Sequence, residues 1–256
     1  MSGTPNLSAA RGVVYVATRN DGYVILAAAS AQSVRRYAPQ LPIALFTNVL
    51  QIPGPIAQCF DRVETIASPR RIDVDWANGL IDKIHGIRHT PYEHTFFIDA
   101  DTVCRSGEIM QAFAWLEDYD LLITECAEDA SLSRRLIGRP LYSTGIMAYR
   151  KSQPVMDLCA AWMEFALECI EYVRRKEFGR LPGLDGLNSE QKAFLALTDQ
   201  YSLAKFLSPE VNSFSLKVKL LEERWNFRGD GKRTPPSGLV IDHQMEIKQG
   251  RRTVEA

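Results

Sequence analysis

The feature that most constrains this chain is an alternation. Through the first 125 residues, short unbroken apolar runs take turns with stretches of helical periodicity. Residues 12–18 (GVVYVAT), 42–47 (PIALFT), 94–99 (HTFFID) and 120–124 (DLLIT) read as strands, with a weaker one at 62–66. Between them, 21–37 reads as a helix capped by Asp21 or Asn20 and stopped by a Tyr-Ala-Pro turn. Residues 76–88 place Leu80, Ile81, Ile84 and Ile87 on one side, and 106–116 forms a further short helix. Strands apolar on both faces suit a mainly parallel sheet covered by helices, so the fold class is α/β.

The second half follows a looser plan. A strand is expected over 141–150 and one long helix over 152–176. Ser152 would cap that helix, Pro154 fits its first turn, and Gly179 would stop it. Its apolar stripe suits core burial; a homodimer contact or peripheral membrane contact is the alternative use. Residues 188–207 read as helix with a break near Thr198, and 211–221 as a strand. A basic Pro/Gly-rich loop at 229–238 precedes a last apolar run at 239–242. Residues 1–10 and 244–256 read as tails.

Composition narrows the function classes. Thirty basic residues against 31 acidic ones give a net charge of −1, so no global field favours nucleic acid. No transmembrane segment is expected: the longest early apolar stretch, 23–31, is far below the ~18 residues that span a bilayer. The N-terminus lacks the apolar core of a secretory signal. The five cysteines show no CxxC spacing, which suits free thiols and a cytoplasmic location.

Three Asp-x-Asp tripeptides occur, and context separates them. Asp73-Val-Asp75 precedes a helix and reads as capping. Asp118-Tyr-Asp120 lies in a turn, where aspartates satisfy backbone donors. Asp99-Ala-Asp101 ends an apolar strand, where open α/β sheets bind ligands. Residues i and i+2 of an extended segment face one way, so both carboxylates can meet one ligand. Two close carboxylates repel unless a cation joins them, which points to a divalent metal. His243, at the end of a strand, is placed to complete such a site. Six basic residues against three acidic ones between Lys217 and Arg233 suit a diphosphate beside the metal.

Other pieces gain meaning beside these. Tyr142-Ser-Thr-Gly145 sets hydroxyls and a glycine before an apolar run. Asp199-Gln200 interrupts an apolar helical stretch, and Trp225-Asn226 follows a strand.

In that order, these pieces resemble the glycogenin-like and lipopolysaccharide-galactosyltransferase-like glycosyltransferases with the GT-A fold. Phe97-Ile-Asp-Ala-Asp-Thr102 looks like their apolar-Asp-x-Asp signature, Ser143-Thr-Gly145 like their hydroxyl-rich turn, and Asp199-Gln-Tyr-Ser-Leu203 like their Asp-Gln helix. The resemblance implies a single Rossmann-like GT-A domain over 11–243, with a nucleotide-binding half at 11–125 and an acceptor half at 126–243. It implies a donor site of Ala17, Thr18, Asn20, Tyr23, Lys83, Asp99, Thr144, Gly145, Trp225, Asn226 and Lys232. Metal ligands would be Asp99, Asp101 and His243, and Asp199 and Gln200 would face the reaction. The implied cofactor is Mn²⁺ (or Mg²⁺). The implied partners are a nucleotide-sugar donor, most often UDP-linked and used with retention, and a glycan, lipid-linked or protein acceptor. The chain departs from the pattern after His243, where Lys248 and Gly250 come late. Lys232 or Arg233 are then the substitutes for the phosphate contact.

Three alternatives compete. A nucleotidyltransferase making sugar nucleotides would want a Gly-rich, basic loop after the first strand, where Thr18-Arg-Asn-Asp-Gly22 has one glycine and one arginine. A haloacid-dehalogenase-like phosphatase would want Asp-x-Asp on the first strand and its threonine one residue later than Thr102. A catalytically inactive nucleotide-sugar-binding module would share every motif and lack turnover.

Overall fold

The computed structural model describes residues 10–128, 131–229 and 233–243. Of the tails expected at 1–10 and 244–256, residues 1–9 and 244–256 lie outside the described residues, as does Lys232. The chain begins with β1 (Arg11–Val16), α1 (Asp21–Tyr37), β2 (Ile43–Thr47), α2 (Gly54–Ala57), β3 (Arg62–Thr65), α3 (Asp75–Arg88) and β4 (His94–Ile98). Then come β5 (Thr102–Cys104), α4 (Ile109–Trp115), β6 (Leu121–Glu125), α5 (Leu132–Ile137), β7 (Tyr142–Arg150) and α6 (Gln153–Arg175). It closes with α7 (Ser189–Ala196), α8 (Asp199–Ala204), β8 (Leu207–Ser208), β9 (Val211–Asn212), β10 (Val218–Leu221) and β11 (Ile241–His243).

Seven strands form one sheet in the order β10-β6-β7-β4-β1-β2-β3. Only β7 runs antiparallel to its neighbours, β4 and β6. The unbroken apolar runs are explained by burial on both faces. Alternate residues of one strand enter different cores. Val13, Tyr15, Phe96 and Ile98 pack on the α1 and α4 side, while Val14 and Phe97 pack with Ile84, Tyr149 and Trp162 on the α3 and α6 side.

Several local expectations need correction. The Asp73–Asp75 pair does not cap α3: Val74 holds the cap position without a side-chain bond, and both carboxylates meet Arg70 instead. Buried Asn78 does the tethering, bonding the backbone of Arg71 and Ile72. Helix α6 stops at Lys176, left-handed at φ 60°, three residues before Gly179. The strand expected over 211–221 is two strands, β9 and β10, parted by a turn that Asn212 ties to the backbone of Leu216. The apolar stripe of α6, from Val155 to Ile170, is consumed inside the chain. The five cysteines are free and buried. Among the described residues, no helix is long and apolar enough to cross a membrane.

Two features of the framework prepare the site. Thr198 breaks the expected helix by capping α8, its Oγ1 accepting from the Tyr201 N–H at 3.3 Å. The buried Trp162 indole on α6 donates to Ser202 Oγ at 2.9 Å, which fixes α8 and the Asp199 at its start.

Candidate functional site

Parallel strands β1 and β4 end on the same edge of the sheet, and their last residues lead into one cleft of about 660 Å³. Residues 17–20 follow β1 and residues 99–101 follow β4. Because β7 is antiparallel, its first residues reach this same edge. The β6–β7 register shifts beyond Ile123–Met147 to pair Thr124 with Ser143, so residues 144–146 bulge there. Gly145 accepts the Asp99 N–H at 2.8 Å, which anchors the acidic turn.

His243 arrives by a pairing of very short strands. After Asp101 the chain turns back as β5 and pairs antiparallel with β11, setting His243 opposite Thr102. Its Nε2 lies 3.2 Å from Asp101 Oδ1 and 3.9 Å from Asp99 Oδ2. One ligand atom from each of the three residues falls within 4.8 Å of the others. The ring is buried, and its Nδ1 lies 3.0 Å from Asn226 Oδ1. The Asn226 amide nitrogen donates to Ser143 Oγ at 2.8 Å and Thr124 Oγ1 at 3.1 Å. That leaves the amide oxygen to accept from the histidine, so Nδ1 carries the proton and the bare Nε2 faces the carboxylates as a third donor atom for a cation held between them.

Two carboxylates and an imidazole form a donor set for a divalent transition-type cation. Space around them is kept by Gly145. A Cβ there would lie 2.8 Å from His243 Cε1, 2.9 Å from Arg228 Nη2 and 3.0 Å from Asp99 Oδ2. The residues therefore fit a metal.

Next to this cluster, Lys83 of α3 bridges two acids. Its Nζ lies 2.9 Å from Asp99 Oδ1 and 2.8 Å from Asp199 Oδ2, with Thr144 Oγ1 at 3.4 Å. Burial pushes the Asp199 carboxyl upward, but the Lys83 charge and hydrogen bond overcome it and hold the carboxyl well below its usual range. Burial likewise opposes the ammonium, and the two carboxylates raise it.

Of the expected residues, Ala17, Thr18, Asn20, Tyr23, Lys83, Asp99, Asp101, Asp199, Gln200 and His243 line the cleft together. Thr144 and Gly145 lie buried beneath it. Trp225 is a correction: its indole is buried in the core against Phe96 and Trp115 and makes no wall of the cleft. Asn226 also moves, from a donor contact to the residue that orients His243. Arg233 turns to Glu223 and the Arg228 carbonyl.

Among the cleft residues that the sequence missed are two arginines and two aromatics. Arg228 enters the cleft, and its Nε is buried with no hydrogen-bond partner among the described residues. Its place, two residues after Asn226 in the basic stretch, was the available signal. Arg19 sits at φ 75° and, with Thr18 and Ser68, binds the buried carboxylate of Asp82. No sequence signal marks that conformation in a non-glycine residue. Trp76 and Phe194 form the rim.

The chain matches no protein-family model and no curated protein by sequence. Its fold is similar to that of solved glycosyltransferases. The galactosyltransferase LgtC, solved with donor and acceptor sugar analogues, gives a TM-score of 0.51 at 13% identity, covering 91% of this chain and 86% of that one. Mouse xyloside xylosyltransferase 1 in its apo form gives 0.55 at 11%, covering 91% and 97%. The bifunctional glycosyltransferase WbbM gives 0.52 at 14%, covering 88% of this chain but only 40% of that one, so the chain spans less than half of WbbM. The seven-stranded sheet, the cleft at its carboxyl edge and these likenesses agree that the chain has the GT-A glycosyltransferase fold.

Proposed function

We propose that this chain is a metal-dependent glycosyltransferase that moves a sugar from a UDP-linked donor to a glycan acceptor, with retention of configuration. The observation that carries the proposal is the convergence of Asp99, Asp101 and His243 at the mouth of a cleft in a GT-A fold. The hard step in such a reaction is expulsion of the diphosphate while positive charge grows on the anomeric carbon. Asp101 and His243 would hold Mn²⁺ or Mg²⁺, with Asp99 beside them. Once bound, the cation supplies positive charge where the leaving diphosphate gathers negative charge.

The chain's own side chains do the rest. Ala17, Thr18, Asn20 and Tyr23 wall the nucleoside end. Arg228 donates to the diphosphate, since Lys83 and Arg19 are already paired with carboxylates. Lys83 fixes Asp99 and Asp199 in one geometry, and Thr144 and Gly145 border the sugar. Asp199, kept ionised, and Gln200 face the reacting carbon. Residues 11–125 supply most of the nucleotide contacts and 126–243 most of those around the reacting sugar. Free buried cysteines suit a cytoplasmic location. The phosphatase alternative loses ground because Asp99 follows β4, with β1, β2 and β3 before it.

The test is calorimetric titration with UDP, GDP and CDP in Mn²⁺ and then in EDTA. Mn²⁺-dependent binding of UDP, lost in Asp101→Ala, is expected. Failure of all three nucleotides to bind with Mn²⁺ present would overturn the assignment.

A further inference from the structure

We propose that Trp76 and Phe194 form a stacking platform for the acceptor sugar; this rests on the glycosyltransferase reading and adds the acceptor subsite to it. Trp76 is 48% exposed, whereas Trp162 and Trp225 are buried and Trp115 is partly buried. Of the large exposed hydrophobic side chains among the described residues, it is the one that lines the cleft. The Phe194 ring stands 6.0 Å from it, tilted by 50°, and lines the cleft too. An indole face left half in water beside a polar cleft is apolar area suited to a ligand that is itself apolar on one face. A pyranose has that character: C–H bonds on its face and hydroxyls around its edge.

Helix geometry sets the platform's place. Trp76 and Lys83 are seven residues apart on α3, so they share a face to within about 20° and lie about 10 Å apart along the axis. Lys83 marks the centre of the site through Asp99 and Asp199. Gly79 lies between them, and a Cβ built on it meets nothing within 4 Å. Gly79 therefore leaves the cleft wall between the rings and Lys83 unfilled by any side chain. Asp199 and Gln200 offer acceptors and a donor to its hydroxyls.

A nucleobase fits this place less well. The wall after β1 is tied to Asp82, through Thr18 and Arg19. Asp82 projects about 120° around α3 from Trp76. Trp76 turns instead to α7, next to the helix that starts with Asp199.

The test uses methyl glycosides of glucose, galactose and xylose as probes, read by saturation-transfer NMR on the whole chain, with and without UDP and Mn²⁺. Calorimetric UDP titration runs alongside. Gly79→Leu fills that part of the wall and raises helix propensity, so it guards against a folding artefact. Trp76→Ala removes the platform and Trp76→Phe restores an aromatic face. Saturation of glycoside C–H protons is expected in the wild type and in Trp76→Phe. Binding should weaken about tenfold or more in Trp76→Ala and Gly79→Leu, with UDP affinity unchanged. Loss of UDP affinity in both variants would overturn the proposal and make the rings a nucleobase clamp. UDP binding with no glycoside saturation in the wild type would overturn it as well. Glycoside binding that needs Trp76, without UDP binding, would uphold the platform and refute the donor reading.

Discussion

Removing Lys83 tests the electrostatics of the site quantitatively. Lys83→Met keeps the length of the side chain and deletes its charge. The side chains of Lys83, Asp99 and Asp199 are 12%, 22% and 25% exposed. Stranding one partner of a fully buried pair costs about 3–5 kcal/mol, and an exposed pair is worth about 0–1 kcal/mol. Two mostly buried carboxylates left facing each other should fall between, at about 2–3 kcal/mol. For a domain of this size that is about 5–10 °C in melting temperature. In Lys83→Met/Asp199→Asn one stranded charge is gone, so about 1–2 kcal/mol should return.

The same variant has a signed pH dependence. In the wild type Asp199 is depressed below its unfolded value of about 3.9, so its stabilising contribution is present above that pH and fades as pH falls through the folded value. In Lys83→Met, burial acts without the counter-charge and raises the folded value. The deficit is then full at neutral pH and shrinks on acidification. Thermal melts in EDTA between about pH 7 and pH 5 should show the gap to wild type narrowing. Additive losses in the double variant, or a gap that does not change with pH, would refute the coupling.

Two further variants probe the metal cluster. Asn226→Ala frees the His243 ring, and Mn²⁺ affinity measured by calorimetry should drop about 10–100-fold while the fold persists. Gly145→Ala drives a methyl against His243 and Asp99, so a destabilisation of about 1–3 kcal/mol in urea melts should accompany weaker Mn²⁺ binding.

The sheet was legible because its strands are buried on both faces, which writes long apolar runs into the sequence. The Asn20 cap and the break at Thr198 were legible because both act on neighbouring residues. What stayed hidden depends on contacts far apart in sequence. The apolar run before His243 was visible, but β5 has three residues and too little pattern to show, and its pairing with β11 is what delivers His243 to Asp101. Asn226 stands 17 residues before His243, and only the fold shows that it orients the ring. Trp225 next to it carries the same kind of signal and is core. The left-handed Lys176 and Arg19 occupy conformations that a non-glycine residue gives no notice of.

Turnover tests the central claim most directly. Wild type and Asp101→Ala would each be incubated with a panel of UDP-sugars, Mn²⁺ and simple glycosides, and release of UDP followed over time. The account predicts Mn²⁺-dependent UDP release from at least one donor by the wild type, abolished by EDTA and by Asp101→Ala. UDP release that continues undiminished in Asp101→Ala, or UDP binding with no release from any donor, would contradict it.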